Sequence, residues 1–509
     1  MKLTKTKKII IAIVAVLVAA ALTVTVLITT GVAVEPENKL FNDGLVPVRD
    51  GSGKWGYINV SGGVVVNFKY SAAGAYSEGV AIVAEGKFDN GANRYERYKI
   101  INNKDKCVND KYYVYLAEAG NGRIIFNDGF GEGVMTREGK IIVDANYDKI
   151  EPFSDNGYSI VTLNGKKGVI NQKGDLILPA LYEDVEGLSY ADSGDYYAFI
   201  VKTHKVYTEK PSDGTKNDTG ETEGGVQAQQ LDEGERFATV YSLVNLSGRT
   251  VSDGWLSIRK AFYKGDLMTV KKEVDGKELY GFISVSGKVV VAPEYTETGV
   301  FMNGLCAVRY YDEESEKYVW NYVDKYGETA IELNAETLEA ITCFAGDGDI
   351  APIKVATENG DKYAYINRKG EFVTEAIYDS AFPMGVKTGI NRYALASYRK
   401  DGKIVTCLIN KKGEERDFSA KTIIQKTSDK IAISYLKDDK TAYAFMNYDC
   451  EIIQEFDAGV ELGANCIYGD GYVVFKKRDG TKTLFGIMSK KGKIIIDATY
   501  TAIGNSSMY

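Results

Sequence analysis

An all-β chain assembled from tandem repeats is the fold class this sequence predicts, on three observations. Glycine is frequent at 53 residues, proline scarce at 8, and tyrosine abundant at 36, a balance that favours strands and tight turns over helices. A short pattern returns eleven times at a spacing of about 40 residues: an apolar pair, a short polar residue, and a turn residue three positions on. After each turn comes a β-branched run, as in Val64-Val65-Val66, Ile141-Ile142-Val143, Val289-Val290-Val291 and Ile494-Ile495-Ile496. The expected architecture is a propeller-like or curved array of three-stranded units of about 40 residues, preceded by one transmembrane helix.

Turn chemistry explains why these positions recur. The pairs are Asn59/Gly62, Asn102/Asp105, Thr136/Gly139, Asn171/Gly174, Asn245/Gly248, Ser284/Gly287, Asp324/Gly327, Asn367/Gly370, Asn410/Gly413, Asn447/Cys450 and Ser489/Gly492. A short polar side chain at the start of a turn accepts a hydrogen bond from the backbone two residues on. Glycine at the end supplies a positive φ, which Asp105 also tolerates. Cys450 does not suit that conformation, so its hairpin is expected to be remodelled or shifted by one residue.

A third strand is expected after an aromatic residue and a glycine turn, as at Tyr76–Val83, Phe153–Val161 and Phe301–Val308. A tyrosine sits on the connection between second and third strands: Tyr70, Tyr147, Tyr182, Tyr295, Tyr378 and Tyr500. The one long spacing, between Asn171 and Asn245, contains the polar, aperiodic stretch 203–236, read as a flexible insertion after a third strand. The last unit stops at Tyr500 without a third strand, and Phe41–Val48 looks like the missing one. Sharing a unit between the termini is how closed propellers fasten; two rings or an open array stay compatible with the same pattern.

Lys54-Trp55-Gly56-Tyr57-Ile58-Asn59, with Gly62 and Tyr76-Ser77-Glu78-Gly79-Val80-Ala81, resembles the WG-repeat family of bacterial proteins. The resemblance extends over about residues 40–505 except the insertion. The Trp-Gly pair is intact once. Its aromatic place holds Tyr98, Tyr241, Tyr280, Trp320, Tyr363, Tyr443 and Phe485 elsewhere, and its glycine is kept at Gly133, Gly168, Gly281 and Gly486. The resemblance implies an envelope-associated binding scaffold and supplies no catalytic residues.

Residues 9–34 form an uncharged apolar run of 26, longer than a signal-peptide core and long enough to span a bilayer. Threonines from Thr23 onward leave late cleavage open. Lys2, Lys5, Lys7 and Lys8 precede the run, so residues 1–8 are expected in the cytoplasm and 35–509 outside, at a bacterial cell surface. Without those four lysines the remainder is more acidic than the −8 of the whole chain, which argues against nucleic acid as a partner.

Little catalytic chemistry is visible. The single histidine, His204, excludes catalysis that needs a rigid histidine base and any multi-histidine metal site. Cys107, Cys306, Cys343, Cys407, Cys450 and Cys466 lie far apart; buried thiols and one or more bridges are both compatible with them. Gly129-Phe130-Gly131-Glu132-Gly133 precedes a hairpin, not a helix, and reads as a turn. Asp347-Gly348-Asp349 lacks the further ligands of a calcium loop. No cofactor and no metal are expected. The functional expectation is a membrane-anchored, non-catalytic scaffold for a protein partner, with Trp55, Tyr280, Trp320, Tyr363 and Phe485 as repeat-defining aromatics. A cell-wall or carbohydrate-binding array with tyrosine platforms is the alternative, and an enzyme with converging carboxylates a third.

Overall fold

The computed structural model describes residues 39–208, 235–333, 337–340, 343–427 and 429–504. The stub 1–8, the expected span 9–34 and residues 209–234 lie outside the described residues. Among the described residues there is no helix, and none long and apolar enough to cross a membrane. The strands of the described residues fall into eleven small antiparallel sheets, nine with four strands and two with three. They divide between two compact units. One comprises Phe41–Lys421, Asp479–Phe485 and Thr499–Tyr509; the other is built on Thr422–Arg478 and Gly486–Ala498.

One sheet shows the plan: Lys149–Ile150, Tyr158–Leu163, Lys166–Asn171 and Leu176–Tyr182 pair in chain order. The expected three-stranded unit is thereby corrected in two ways. A short first strand, such as Ala72–Ala73 or Glu297–Thr298, is too brief to leave a period in the sequence. The strand read as third in one repeat pairs with the next repeat, as Val80–Asp89 does with Arg94–Asn102. Each repeat is thus split across two sheets, which ties neighbours together covalently.

The middle strands are buried on both faces, as at Leu45–Arg49 and Trp55–Asn59, because apolar side chains from neighbouring sheets close over them. One core joins Trp55, Tyr57, Val66 and Tyr70 of the first sheet to Ala73, Tyr76, Ala81 and Val83 of the second. Buried tyrosines reach across such joints: Tyr57 Oη donates to the Gly74 carbonyl (2.8 Å) and Tyr365 Oη to that of Phe382 (3.0 Å). The β-branched runs occupy the fourth, outermost strand, where Val64, Val65, Ile141, Val289, Ile494 and Ile495 are exposed.

The glycine of the Trp-Gly pair has a steric cause. In four sheets the outer strand follows one bulged register: Tyr57↔Val66, Val134↔Val143, Val169↔Leu178 and Phe282↔Val291. A Cβ on Gly168 would stand 2.6 Å from the Leu178 carbonyl oxygen, and on Gly281 2.6 Å from that of Val291. Gly56, Gly133 and Gly486 meet the carbonyl ten residues on in the same way. All five precede outer strands of seven residues. Where Asn321, Cys407 or Ala444 takes the place, the outer strand shrinks to Thr329–Glu332, Glu415–Asp417 or Ile452–Glu455. Ser242, before the six-residue Thr250–Trp255, is the exception.

The first sheet takes strands from both ends of the chain, in the order Val64–Tyr70, Trp55–Asn59, Leu45–Arg49, Ala502–Ile503. Arg49 Nε donates to Thr501 Oγ1 (3.0 Å), and the Thr501 amide to the Arg49 carbonyl (2.8 Å). The stretch Phe41–Val48 therefore does supply a strand next to the end of the last repeat. The insertion is shorter than the expected 203–236. Strands Tyr196–Thr208 and Glu235–Asn245 continue through its ends, with Thr203 opposite Val240 and Thr208 opposite Glu235.

Alanine at Gly168 or Gly281 pushes a methyl group into a backbone carbonyl, and each variant is expected to lose about 1–3 kcal/mol. Urea unfolding of the purified chain measures it, and midpoints equal to that of the parent would show that the outer strand yields freely.

Candidate interaction surfaces

The recurring turns share one geometry. Asn59 Oδ1 accepts the amides of Ser61 (3.0 Å) and Gly63 (2.9 Å), and Gly62 N–H donates to the Asn59 carbonyl. Asn171, Asn367 and Asn410 hold the amides two and four residues on in the same way. The hydroxyls of Ser284 and Ser489 each accept the amide four residues on (3.2 Å), and Ser284 Oγ also bonds Ser286 Oγ (2.8 Å). Gly62, Gly174, Gly287, Gly370, Gly413 and Gly492 all have positive φ. The space beside several of them is filled by the preceding sheet: a Cβ on Gly413 would lie 2.0 Å from the Val373 carbonyl oxygen, and on Gly287 2.3 Å from that of Val251. Asp105 uses the same joint differently, taking Tyr70 Oη and Lys69 Nζ from the neighbouring outer strand.

Cys450 contradicts its expectation. It adopts φ 66°, donates its amide to the Asn447 carbonyl (3.1 Å), and leaves the turn unaltered. Asn447 Oδ1 accepts two amides there, of Asp449 and Glu451 (both 2.9 Å), and these bonds offset the strain of a side chain in the left-handed region.

The repeat aromatics serve packing. Trp55 and Trp320 are buried, while Tyr280, Tyr363 and Phe485 are half-buried. Of the connecting tyrosines, Tyr70, Tyr295 and Tyr378 are buried, and Tyr378 Oη donates to Glu415 (2.7 Å).

Loops between first and second strands are stitched to one another from sheet to sheet. Asp43 accepts the Gly79 amide (2.8 Å), Asn121 Nδ2 donates to the Ser154 carbonyl (2.8 Å), and Asn303 Nδ2 donates to that of Phe344 (2.7 Å). Arg137, on a turn, bonds Glu118 and the Ser77 carbonyl (3.2 Å). Asp266, only 5% exposed, accepts the Gly304 amide through Oδ1 (2.9 Å), and its Oδ2 has no hydrogen-bond partner. Burial pushes its carboxyl above the usual range, and the Gly304 and Tyr263 backbone bonds oppose that only in part.

Among the described residues no three of His, Cys, Asp and Glu are grouped to hold a metal ion. Asp347 uses its amide to bond the Asn391 carbonyl (3.0 Å), and Asp349 lies 3.7 Å from Lys411. All six cysteines are free thiols. Burial pushes Cys343 up to about 11 and Cys407 and Cys466 up to about 12, which leaves them protonated and unreactive. His204 is exposed on its strand, its Nε2 3.9 Å from Glu183.

Sequence reasoning missed the surface that packing leaves free. The hairpins joining second and third strands carry exposed apolar groups: Phe130, Tyr311, Tyr318, Ile404 and Leu436. Phe130 stands in the glycine-rich turn that was read only as a turn, and its ring is 94% exposed. A large apolar residue beside a hairpin tip was the available signal.

Six segments match the family model described as WG containing repeat: residues 55–87, 133–166, 168–201, 280–312, 363–403 and 485–507. The segment 55–87 crosses from the first sheet into the second, as the staggered pairing requires. No curated protein matches the sequence. Among solved structures the chain is similar to a eukaryotic initiation factor, at 10% identity and TM-score 0.30 over 81% of this chain and 96% of that one. It is similar to dipeptidyl peptidase 4 of Porphyromonas gingivalis, at 12% and 0.30 over 86% and 68%. A third is apo AztD of Citrobacter koseri, at 11% and 0.21 over 81% and 93%. Likenesses this distant carry no functional argument.

Two substitutions test these local readings. Cys450→Gly removes left-handed strain from an otherwise intact turn and is expected to stabilise the protein by about 0.5–1 kcal/mol, read as a raised melting temperature. Asp266→Asn keeps the acceptor for Gly304 and removes a carboxyl whose folded-state pKa is raised. Such a group costs stability as pH rises past the unfolded carboxylate range, about 4, so the variant is expected to gain at pH 7 and to lose that gain as pH falls toward 4. Parallel stability curves from pH 4 to 7 would contradict it.

Proposed function

We propose that this chain is a non-catalytic scaffold that binds protein partners through the tips of its hairpins. The supporting observation is how its polar and aromatic groups are used. Turn asparagines hold their own backbone, loop side chains bond neighbouring loops, and repeat aromatics fill joints between sheets. The hairpin tips differ from sheet to sheet and carry exposed apolar side chains, the composition of an interface. Membrane anchoring through residues 9–34, with the array outside a bacterial cell, belongs to the same reading and rests on the apolar run and its four preceding lysines.

Cell-wall glycan binding is a second reading, favoured at one place. Tyr311 and Tyr318 are about half exposed, their rings 5.4 Å apart at 70°, and Arg309 lies 4.9 Å from the Tyr318 ring. An exposed aromatic pair beside a cation offers a sugar a face to stack on and a hydrogen-bond donor.

Affinity capture from envelope extracts is expected to retain a defined set of proteins, lost when Tyr311, Tyr318, Ile404 and Leu436 are replaced by serine, with the melting temperature unchanged. Identical capture by both chains counts against the scaffold, whereas glycan retention lost with Tyr311→Ala and Tyr318→Ala selects the second reading. Protease added to intact cells is expected to digest the array; protection until lysis would place it inside.

A further inference from the structure

The sheets of the unit that includes Phe41–Lys421 have two unlike ends. Leu45 lies opposite Asn59 and Leu305 opposite Asp324, so the loops leading into second strands share an end with the recurring turns. Side chains join the two sets: Arg137 and Arg368, on turns, donate to the Ser77 and Asn303 carbonyls of those loops (3.2 and 3.0 Å). The hairpins joining second and third strands stand at the other end, where Arg49 lies opposite Trp55. Among the described residues, those hairpins carry nine acids and one base, Lys54. The turns of the same unit carry twelve bases and seven acids, and the loops beside them five bases and nine acids. The turn end is therefore close to charge balance, with its excess of cations on the turns, while the hairpin end is strongly acidic.

The chain also enters this unit at the turn end. The Leu45 amide donates to the Asn42 carbonyl (3.0 Å) where the first strand begins. The apolar run 9–34 ends five residues before Lys39, a reach of at most about 18 Å. Exposed Val64, Ile141, Leu176 and Val289 stand on outer strands just past their turns, and Tyr326, 68% exposed, stands within one, its ring centre 5.2 Å from Lys325 Nζ. Lysine beside tyrosine and aliphatic groups suits the headgroup layer of a bilayer. Both ends show exposed apolar groups, so charge decides between them. We propose that the turn end of this unit rests on the anionic phospholipid headgroups of the bilayer that anchors the chain, with the hairpin tips facing away. This rests on the anchoring by residues 9–34 proposed above and adds a lipid surface as the occupant of one end. Anionic lipid attracts the turn lysines and repels the tip carboxylates within a screening length of about 10 Å. The tips are thereby left open to protein partners.

Lysine acetylation of the full chain in lipid nanodiscs, read residue by residue by mass spectrometry, tests the orientation. In discs containing phosphatidylglycerol, Lys140, Lys173, Lys288, Lys325 and Lys369 are expected to react about fivefold more slowly than in discs of phosphatidylcholine alone. Lys54, Lys317 and Lys403, in or beside the hairpin tips, are expected to react alike in both. Replacing Lys288, Lys325 and Lys369 together by glutamate is expected to reduce the protection of Lys140 and Lys173 with the melting temperature unchanged, because all three side chains are exposed. Equal rates at the turns in the two lipids, or stronger protection at the tips than at the turns, overturns the orientation while the chain is still recovered with lipid. A chain that stays outside the discs overturns the anchor and the orientation together, so recovery with lipid tells the two failures apart.

Discussion

A backbone carbonyl pressed against a glycine is the contact on which this architecture depends. It occurs twice in a well-formed repeat. Within a sheet, the outer strand bulges and sets a carbonyl where the Cβ of Gly56, Gly168 or Gly281 would otherwise stand. Between sheets, the outer strand of one lies against the turn glycine of the next, as Val251 does against Gly287 and Ile177 against Gly248. A methyl group at either place overlaps main-chain atoms, which cannot move aside as the end of a long side chain can. The first contact sets the length of the outer strand, and the second sets how closely sheets stack.

Close stacking then decides where polar chemistry goes. With middle strands covered on both faces, buried tyrosine hydroxyls find partners across the joints: Tyr57 and Tyr365 reach backbone carbonyls of the next sheet, and Tyr378 reaches the Glu415 carboxylate. Turn asparagines and loop aspartates are likewise engaged by nearby amides. Asp266 marks the limit of this economy, a buried carboxylate with one oxygen satisfied and the other not. The hairpin tips are under no such demand, and there neighbouring sheets differ most: a lone phenylalanine at Phe130, a tyrosine pair at Tyr311 and Tyr318, single aliphatics at Ile404 and Leu436.

Local chemistry determined a good deal of this from the sequence alone. The strand class, the eleven turns and the strand contributed by Phe41–Val48 were legible, because turn residues and β-branched runs act over three to seven positions and leave a period. The cost of Cys450 was legible as well. Its toleration was not, since two amides accepted by Asn447 are geometry and not composition. Tertiary structure alone decided which strands share a sheet, because pairing Val80–Asp89 with Arg94–Asn102 depends on which edge the chain meets after its turn. It alone decided that valine runs lie outermost while tyrosines are covered, since burial is set by neighbours distant in sequence. The reason for the glycine beside the tryptophan belongs there too: its clash partner is ten residues away, and only a bulged outer strand brings the two together.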